Sequence, residues 1–131
     1  MAHILVVDDE RDVVTLIKFL LEKEGHKVSE AHNGGEALAV LGIEPEAPRT
    51  REELPELIIL DVMMPVMDGF TVAKRVNEDK KTRTIPIVVL TAKGQVRDLF
   101  DTVPNVATYI EKPFDPKRLR EMVAGILAGP R

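Results

Sequence analysis

A chain of 131 residues, 44% hydrophobic and 31% charged, is long enough to bury a core and predicts one globular domain, residues 1–131. A net charge of -4, with 18 basic residues spread along the chain, argues against nucleic-acid binding by this chain alone. The absence of cysteine excludes disulfides, thiol catalysis and cysteine-ligated zinc. With no signal-peptide pattern and no long apolar run, we expect a cytoplasmic protein without membrane insertion.

The first predicted strand, residues 4–7, is a short β-branched run that ends in two acids, Asp8 and Asp9. From Arg11 onward the apolar residues follow helical spacing, and the pattern stops before Gly25, which suits a helix C-terminus. This succession predicts a helix that crosses back over a sheet.

Residues 27–31 alternate weakly and predict an edge strand, and a turn at residues 33–35 leads into a helix at residues 36–41. Residues 42–56 are polar and rich in proline. They predict a solvated loop and not a linker between domains, because too few residues precede them to form an independent core. A short helical turn is expected within this loop, at residues 51–54.

Residues 57–60 are four Leu and Ile residues without alternation, which is typical of a strand buried on both faces of a parallel sheet. Asp61 follows directly. Functional groups in such sheets collect beyond the carboxyl ends of the strands, so we place the chemistry at Asp61. A turn at residues 65–69 then starts a third helix, which ends in the charged residues 79–81.

A third apolar run, residues 85–90, ends in Thr91 and delivers a hydroxyl group to the same edge. A weakly amphipathic helix is predicted at residues 96–100 and a fifth strand at residues 107–112. Apolar positions at helical spacing between residues 119 and 127 predict a last helix.

Five strands alternating with five helical segments predict a doubly wound parallel sheet with helices on both faces, because right-handed crossovers are nearly obligatory. The strand ends then bring five polar side chains to one crevice: Asp8, Asp9, Asp61, Thr91 and Lys112. Converging carboxylates repel one another, and a hard divalent cation such as Mg²⁺ relieves that repulsion.

In these residues the chain resembles the receiver domain of two-component response regulators. Nearly the whole chain follows that family's order: an acidic pair after the first strand, Leu-Asp-Val-Met-Met-Pro-Val-Met-Asp-Gly at residues 60–69, Thr-Ala at 91–92 and Lys-Pro-Phe at 112–114. The resemblance implies a flavodoxin-like three-layer αβα sandwich with five parallel strands in the order 2-1-3-4-5. We expect a stand-alone receiver, with no output domain in this chain.

The resemblance also implies that Asp61 accepts a phosphoryl group from a sensor histidine kinase or phosphotransfer protein. Mg²⁺, or Mn²⁺, would be held by Asp9 and Asp61 with the assistance of Asp8, and by the backbone carbonyl of Met63. A carboxylate that attacks a dianionic phosphoryl group meets charge repulsion, so catalysis needs positive charge from the metal and from Lys112.

The family's switch is implied at Thr91, which would hydrogen-bond the phosphoryl group, and at Tyr109, whose ring would change rotamer and alter the face that binds a downstream effector protein. We expect the Lys112–Pro113 bond to be cis. The chain would catalyse its own phosphorylation and only slow dephosphorylation, since the apolar Met63 cannot orient water, and would not be a multi-turnover enzyme.

Two segments depart from the family pattern. Residues 42–56 are longer than usual, and residues 103–107 replace the family's common Gly-Ala-x-Asp, so the partner-binding surface cannot simply be carried over.

Two alternative functions stand beside the switch. One is a receiver-like interaction module that is never phosphorylated, in which Asp8 and Asp9 merely start a helix and Tyr109 is a half-buried strand residue. The other is a phosphatase of the haloacid-dehalogenase type with an aspartyl nucleophile. That family needs a second aspartate where this chain has Met63, which disfavours it.

Overall fold

The computed structural model describes residues 2–92 and 103–129 of the chain. Its strands are β1 (His3–Val7), β2 (Lys27–Ala31), β3 (Leu57–Asp61), β4 (Ile87–Ala92) and β5 (Val106–Lys112). Its helices are α1 (Arg11–Lys23), α2 (Gly34–Val40), α3 (Gly69–Glu78) and α4 (Pro116–Ala128). The helix predicted at residues 96–100 lies outside the described residues.

The five strands form one sheet in the order β2-β1-β3-β4-β5, and every neighbouring pair is parallel. The predicted flavodoxin-like order is therefore confirmed. All five residues of β3 are buried, as expected for the central strand of a sheet with helices on both faces.

Side chains of the central strands alternate between two hydrophobic cores. On one face, Leu5, Val7, Ile58 and Leu60 pack with the buried residues of α2 and α3. On the other face, Ile4, Val6, Leu57 and Ile59 pack with those of α1 and α4. Each fully buried side chain of this size contributes about 1.5–3 kcal/mol of hydrophobic free energy, so the two cores fix the strand register.

This register sets which residues lie next to one another where the strands end. Val7 of β1 pairs with Leu60 of β3, and Asp61 pairs with Leu90 of β4. The residues at or just beyond these pairs therefore lie side by side at the carboxyl edge of the sheet.

The start of α3 packs closely against the end of β3. Asp68 is the N-cap of α3, and its side chain accepts a hydrogen bond of 2.8 Å from the backbone N–H of Thr71. At Gly69 a Cβ atom would overlap the backbone oxygen of Asp61, so only glycine fits here. The turn predicted at residues 65–69 thus ties α3 to the strand that carries Asp61.

The loop at residues 42–56 is fastened to the body of the domain by Arg49. Its guanidinium group donates hydrogen bonds to the backbone oxygens of Ala39, at 2.8 Å, and Val40, at 3.1 Å, at the C-terminus of α2. The turn expected at residues 51–54 is present, with a hydrogen bond from the Glu53 N–H to the Thr50 oxygen. Among the described helices, none has both the length and the apolar character needed to cross a membrane.

Candidate functional site

Three carboxylates meet at the carboxyl edge of the sheet. One oxygen each from Asp8, Asp9 and Asp61 lies within 4.8 Å of the other two. Asp8 and Asp61 are 0% and 4% exposed, whereas Asp9 is open to solvent. The structure thus brings together the three acids that the sequence placed at the ends of two strands.

The ammonium group of Lys112 lies among these acids. Its Nζ is 2.7 Å from Asp8 Oδ2 and 3.3 Å from Asp61 Oδ1. The Lys112–Pro113 peptide bond is cis, as expected. Lys112 therefore contacts two of the predicted metal ligands, one of which, Asp61, is also the predicted phosphoryl acceptor.

Glu10 is a further member of the site that the sequence analysis missed. Its Oε1 atom lies 3.0 Å from Lys112 Nζ. The only signal in the sequence is that Glu10 is the third acid of the run that starts at Asp8. An acid at the start of a helix is so common that the pattern does not distinguish it.

Burial and neighbouring charges shift the pKa values of Asp61 and Lys112. Burial, and then the neighbouring Asp8 charge, raise the pKa of Asp61 to about 7, although Lys112 opposes this shift. Burial would lower the pKa of Lys112, but its hydrogen bonds to Asp8 and Glu10 and the charge of Asp61 outweigh burial and raise it. Lys112 is thus a permanent cation, and negative charge is in excess around it.

Thr91 lies at the end of β4 and is 1% exposed. Within the part of the chain that the structure describes, its Oγ1 atom has no hydrogen-bond partner. A buried hydroxyl group without a partner is uncommon in proteins and calls for an explanation. Thr91 is the last residue but one of β4, at the strand end where the sequence analysis expected a hydroxyl group.

Tyr109 is half-buried on β5 and packs against the core beneath α2 and α3. Tyr109 pairs with Val89, and Glu111 pairs with Thr91. Since residues two apart in a strand share a face, Tyr109 and Thr91 belong to the same face of the sheet. The two predicted switch residues are therefore neighbours across the β4 and β5 pair.

The donor set fits a hard divalent cation. Asp8, Asp9 and Asp61 offer only oxygen atoms, and the exposure of Asp9 leaves room for the water ligands that Mg²⁺ retains. The side chain of Met63, two residues after Asp61, is 64% exposed.

Comparison with known proteins shows which family the chain belongs to. The family model for the response regulator receiver domain matches residues 4–124. The chain is 32% identical to protein PilH of Pseudomonas aeruginosa over 130 residues, covering 98% of this chain and 100% of that protein. It is 39% identical over 128 residues to PhoP of Bacillus subtilis, an alkaline phosphatase synthesis transcriptional regulatory protein, covering 95% of this chain and 48% of PhoP.

Solved structures of similar fold point to the same family. Chemotaxis protein CheY4 of Vibrio cholerae superposes with a TM-score of 0.80 at 30% identity, covering 95% of this chain and 97% of CheY4. The signal receiver domain of a signal transduction histidine kinase from Syntrophus aciditrophicus gives a TM-score of 0.81 at 32% identity, covering 100% of this chain and 93% of that one. The chain therefore belongs to the family of response regulator receiver domains.

Proposed function

We propose that the protein is a phosphorylation-dependent signalling switch that accepts a phosphoryl group on Asp61. The donor would be a sensor histidine kinase or a phosphotransfer protein in the cytoplasm. The observation that carries the proposal is the placement of Asp61. Its buried carboxylate lies 3.3 Å from the Lys112 ammonium and within 4.8 Å of the carboxylate oxygens of Asp8 and Asp9.

In the proposed reaction an oxygen of Asp61 forms a bond to phosphorus. The bond between phosphorus and the imidazole nitrogen of the donor breaks, and its electron pair stays on that nitrogen. Lys112 lies where it can neutralise charge on the phosphoryl oxygens, and transfer of this kind depends mainly on positioning and charge. The product is an acyl phosphate on Asp61.

Asp8, Asp9 and Asp61 are the proposed carboxylate ligands of Mg²⁺ or Mn²⁺, with the backbone carbonyl of Met63 as a further oxygen ligand. When bound, the ion supplies positive charge that offsets the repulsion among the carboxylates and the incoming phosphoryl oxygens. Without that charge, the buried Asp8 and Asp61 share one ammonium group, Lys112.

The phosphoryl group would also give Thr91 a partner. We propose that the Thr91 hydroxyl, which has no hydrogen-bond partner among residues 2–92 and 103–129, donates a hydrogen bond to a phosphoryl oxygen and that Tyr109, on the same face of the sheet, repacks in response. An effector protein that binds the repacked face about 100-fold more tightly needs a bias of only about 2.7 kcal/mol, which a few charge-assisted hydrogen bonds can supply.

The proposed reaction is a single turnover and not continuous catalysis. Hydrolysis of the acyl phosphate needs a positioned water molecule, and the exposed Met63 side chain offers no hydrogen bond to orient one. The phosphoryl group should therefore outlast the phosphorylation step by a wide margin.

Intact-mass spectrometry tests the proposal. Incubation with acetyl phosphate and Mg²⁺ should add one phosphoryl group to the wild type and none to Asp61→Asn, and chelation of Mg²⁺ should prevent the addition. Asp12→Asn is a matched control, because Asp12 is an exposed aspartate in the first turn of α1, outside the carboxylate cluster. An unchanged mass supports an unphosphorylated interaction module instead, and sustained phosphate release supports a phosphatase.

A further inference from the structure

We infer that Glu10 is a positioning residue that competes with the incoming phosphoryl group for Lys112 and thereby slows phosphorylation of Asp61. This inference rests on the proposed function. Glu10 would change the rate of the same reaction, although its side chain touches neither Asp61 nor the other carboxylates of the cluster.

The backbone places Glu10 beside the site. Its N–H donates a hydrogen bond of 2.9 Å to Asp8 Oδ1, and its carbonyl oxygen accepts the first hydrogen bonds of α1, from Val13 and Val14. Glu10 is the N-cap residue of α1, yet its side chain makes no capping hydrogen bond. The carboxylate reaches Lys112 Nζ, at 3.0 Å, and joins the start of α1 to the end of β5.

Three carboxylates surround the Lys112 ammonium group, which has three N–H donors: Asp8 at 2.7 Å, Glu10 at 3.0 Å and Asp61 at 3.3 Å. The Glu10 contact is a hydrogen bond. A phosphoryl oxygen that binds Nζ therefore competes with these carboxylates.

The exposure of the three carboxylates indicates which of their contacts with Lys112 is broken most easily. Asp8 and Asp61 have side chains that are 0% and 6% exposed, so losing the ammonium would leave a buried carboxylate uncompensated. The Glu10 side chain is 62% exposed and can be hydrated as soon as it leaves Lys112. The Glu10 contact is therefore the one that costs least to break when a phosphoryl oxygen binds Nζ.

Glu10 also adds an exposed negative charge beside Lys112, which opposes an anionic donor. With acetyl phosphate, an Asp61 oxygen forms the new bond to phosphorus while the bond from phosphorus to the acetate oxygen breaks, and acetate leaves with that electron pair. Glu10 is chemically unchanged by this step. Its removal should therefore speed the reaction without altering the product.

The test is the initial rate of phosphorylation of Glu10→Gln and wild type at saturating Mg²⁺. Glu10→Gln keeps the shape of the side chain and removes its charge, and we expect a rate about two- to fivefold higher, the value of an exposed ion pair. The increase should be smaller with phosphoramidate, which carries less negative charge than acetyl phosphate at neutral pH. Asp12→Asn, which removes a charge from the same helix turn, should react at the wild-type rate.

A Glu10→Gln rate equal to or below that of the wild type would overturn the inference, and so would an equal increase in Asp12→Asn. Glu10→Ala tests the opposite role, in which Glu10 would promote the reaction. If Glu10 held Lys112 in its reactive position, Glu10→Ala would be slower than the wild type, whereas competition predicts that it is faster. These outcomes are read against a wild type that is phosphorylated. If the wild type takes up no phosphoryl group, it is the proposed function that fails.

Discussion

Lys112 Nζ lies closer to Asp8, at 2.7 Å, than to the proposed phosphoryl acceptor Asp61, at 3.3 Å. The ammonium group thus stabilises two buried carboxylates at once, although the three residues come from the start, the middle and the late part of the chain. It has a structural role in addition to the proposed chemical one, and the two roles can be separated by experiment.

Removal of the Lys112 ammonium should lower both stability and reactivity. In Lys112→Met, Asp8 and Asp61 lose their shared cation while remaining buried, so we expect the free energy of unfolding to fall by about 3 kcal/mol in the absence of divalent ions. Urea unfolding measures this change. Lys18→Met is the control, because the Lys18 ion pair with Glu30 is exposed and its loss should leave stability nearly unchanged. Equal losses in the two variants would refute the structural role of Lys112.

The pKa of Asp61 predicts how stability changes with pH. The folded-state pKa is about 7, above the ordinary value for aspartate, so the folded state binds a proton more readily than the unfolded state. This contribution to stability is complete at pH values below the unfolded-state pKa, about 4, and is lost as the pH rises through about 7.

Without divalent ions, the free energy of unfolding of the wild type should therefore fall between about pH 4 and about pH 7, by a few kcal/mol. Asp61→Asn removes the titrating group, so its stability should vary much less over this range and should exceed that of the wild type at about pH 8. Urea unfolding across this range checks the prediction. Parallel pH profiles for the two proteins would contradict it.

The exposed Asp9 allows metal binding to be tested without a buried charge being disturbed. Asp9→Asn should leave the metal-free stability nearly unchanged but raise the Mg²⁺ Kd about tenfold, because it removes one carboxylate from the proposed ligand set. Wild type at about 100 times its Kd of Mg²⁺ should gain about 2.7 kcal/mol of stability. Thermal unfolding across a Mg²⁺ titration measures both effects. Identical titration curves would exclude Asp9 as a ligand.

Thr91 should matter more after phosphorylation than before it. Thr91→Val replaces a hydroxyl that has no partner in the described part of the chain with a methyl group of similar size, so the unphosphorylated protein should keep its stability or gain about 1 kcal/mol. Tyr109 is the only tyrosine and the chain has no tryptophan, so the intrinsic fluorescence comes from Tyr109 alone. Phosphorylation should change this fluorescence in the wild type and not in Thr91→Val. An unchanged response in the variant would show that Tyr109 does not depend on Thr91.

Most of the fold and the site could be predicted because each central strand is a continuous apolar run that ends in a polar residue. The strand order was implied by the resemblance to receiver domains, and the convergence of Asp61 with Lys112 was expected because the carboxyl ends of parallel strands meet at one edge of the sheet. Contacts that depend on side-chain reach could not be predicted. Glu10 and Arg49 belong to a polar helix start and a polar loop, where composition does not reveal that one contacts Lys112 and the other the end of α2.

The central claim is that Asp61 is the residue that receives the phosphoryl group. Borohydride reduces an aspartyl phosphate to homoserine, so reduction after treatment with acetyl phosphate and Mg²⁺, followed by peptide mass spectrometry, marks the acceptor directly. We expect homoserine at position 61 and unmodified aspartate at positions 8, 9 and 68. Homoserine at position 8, 9 or 68, or no homoserine anywhere in the chain, would contradict this claim.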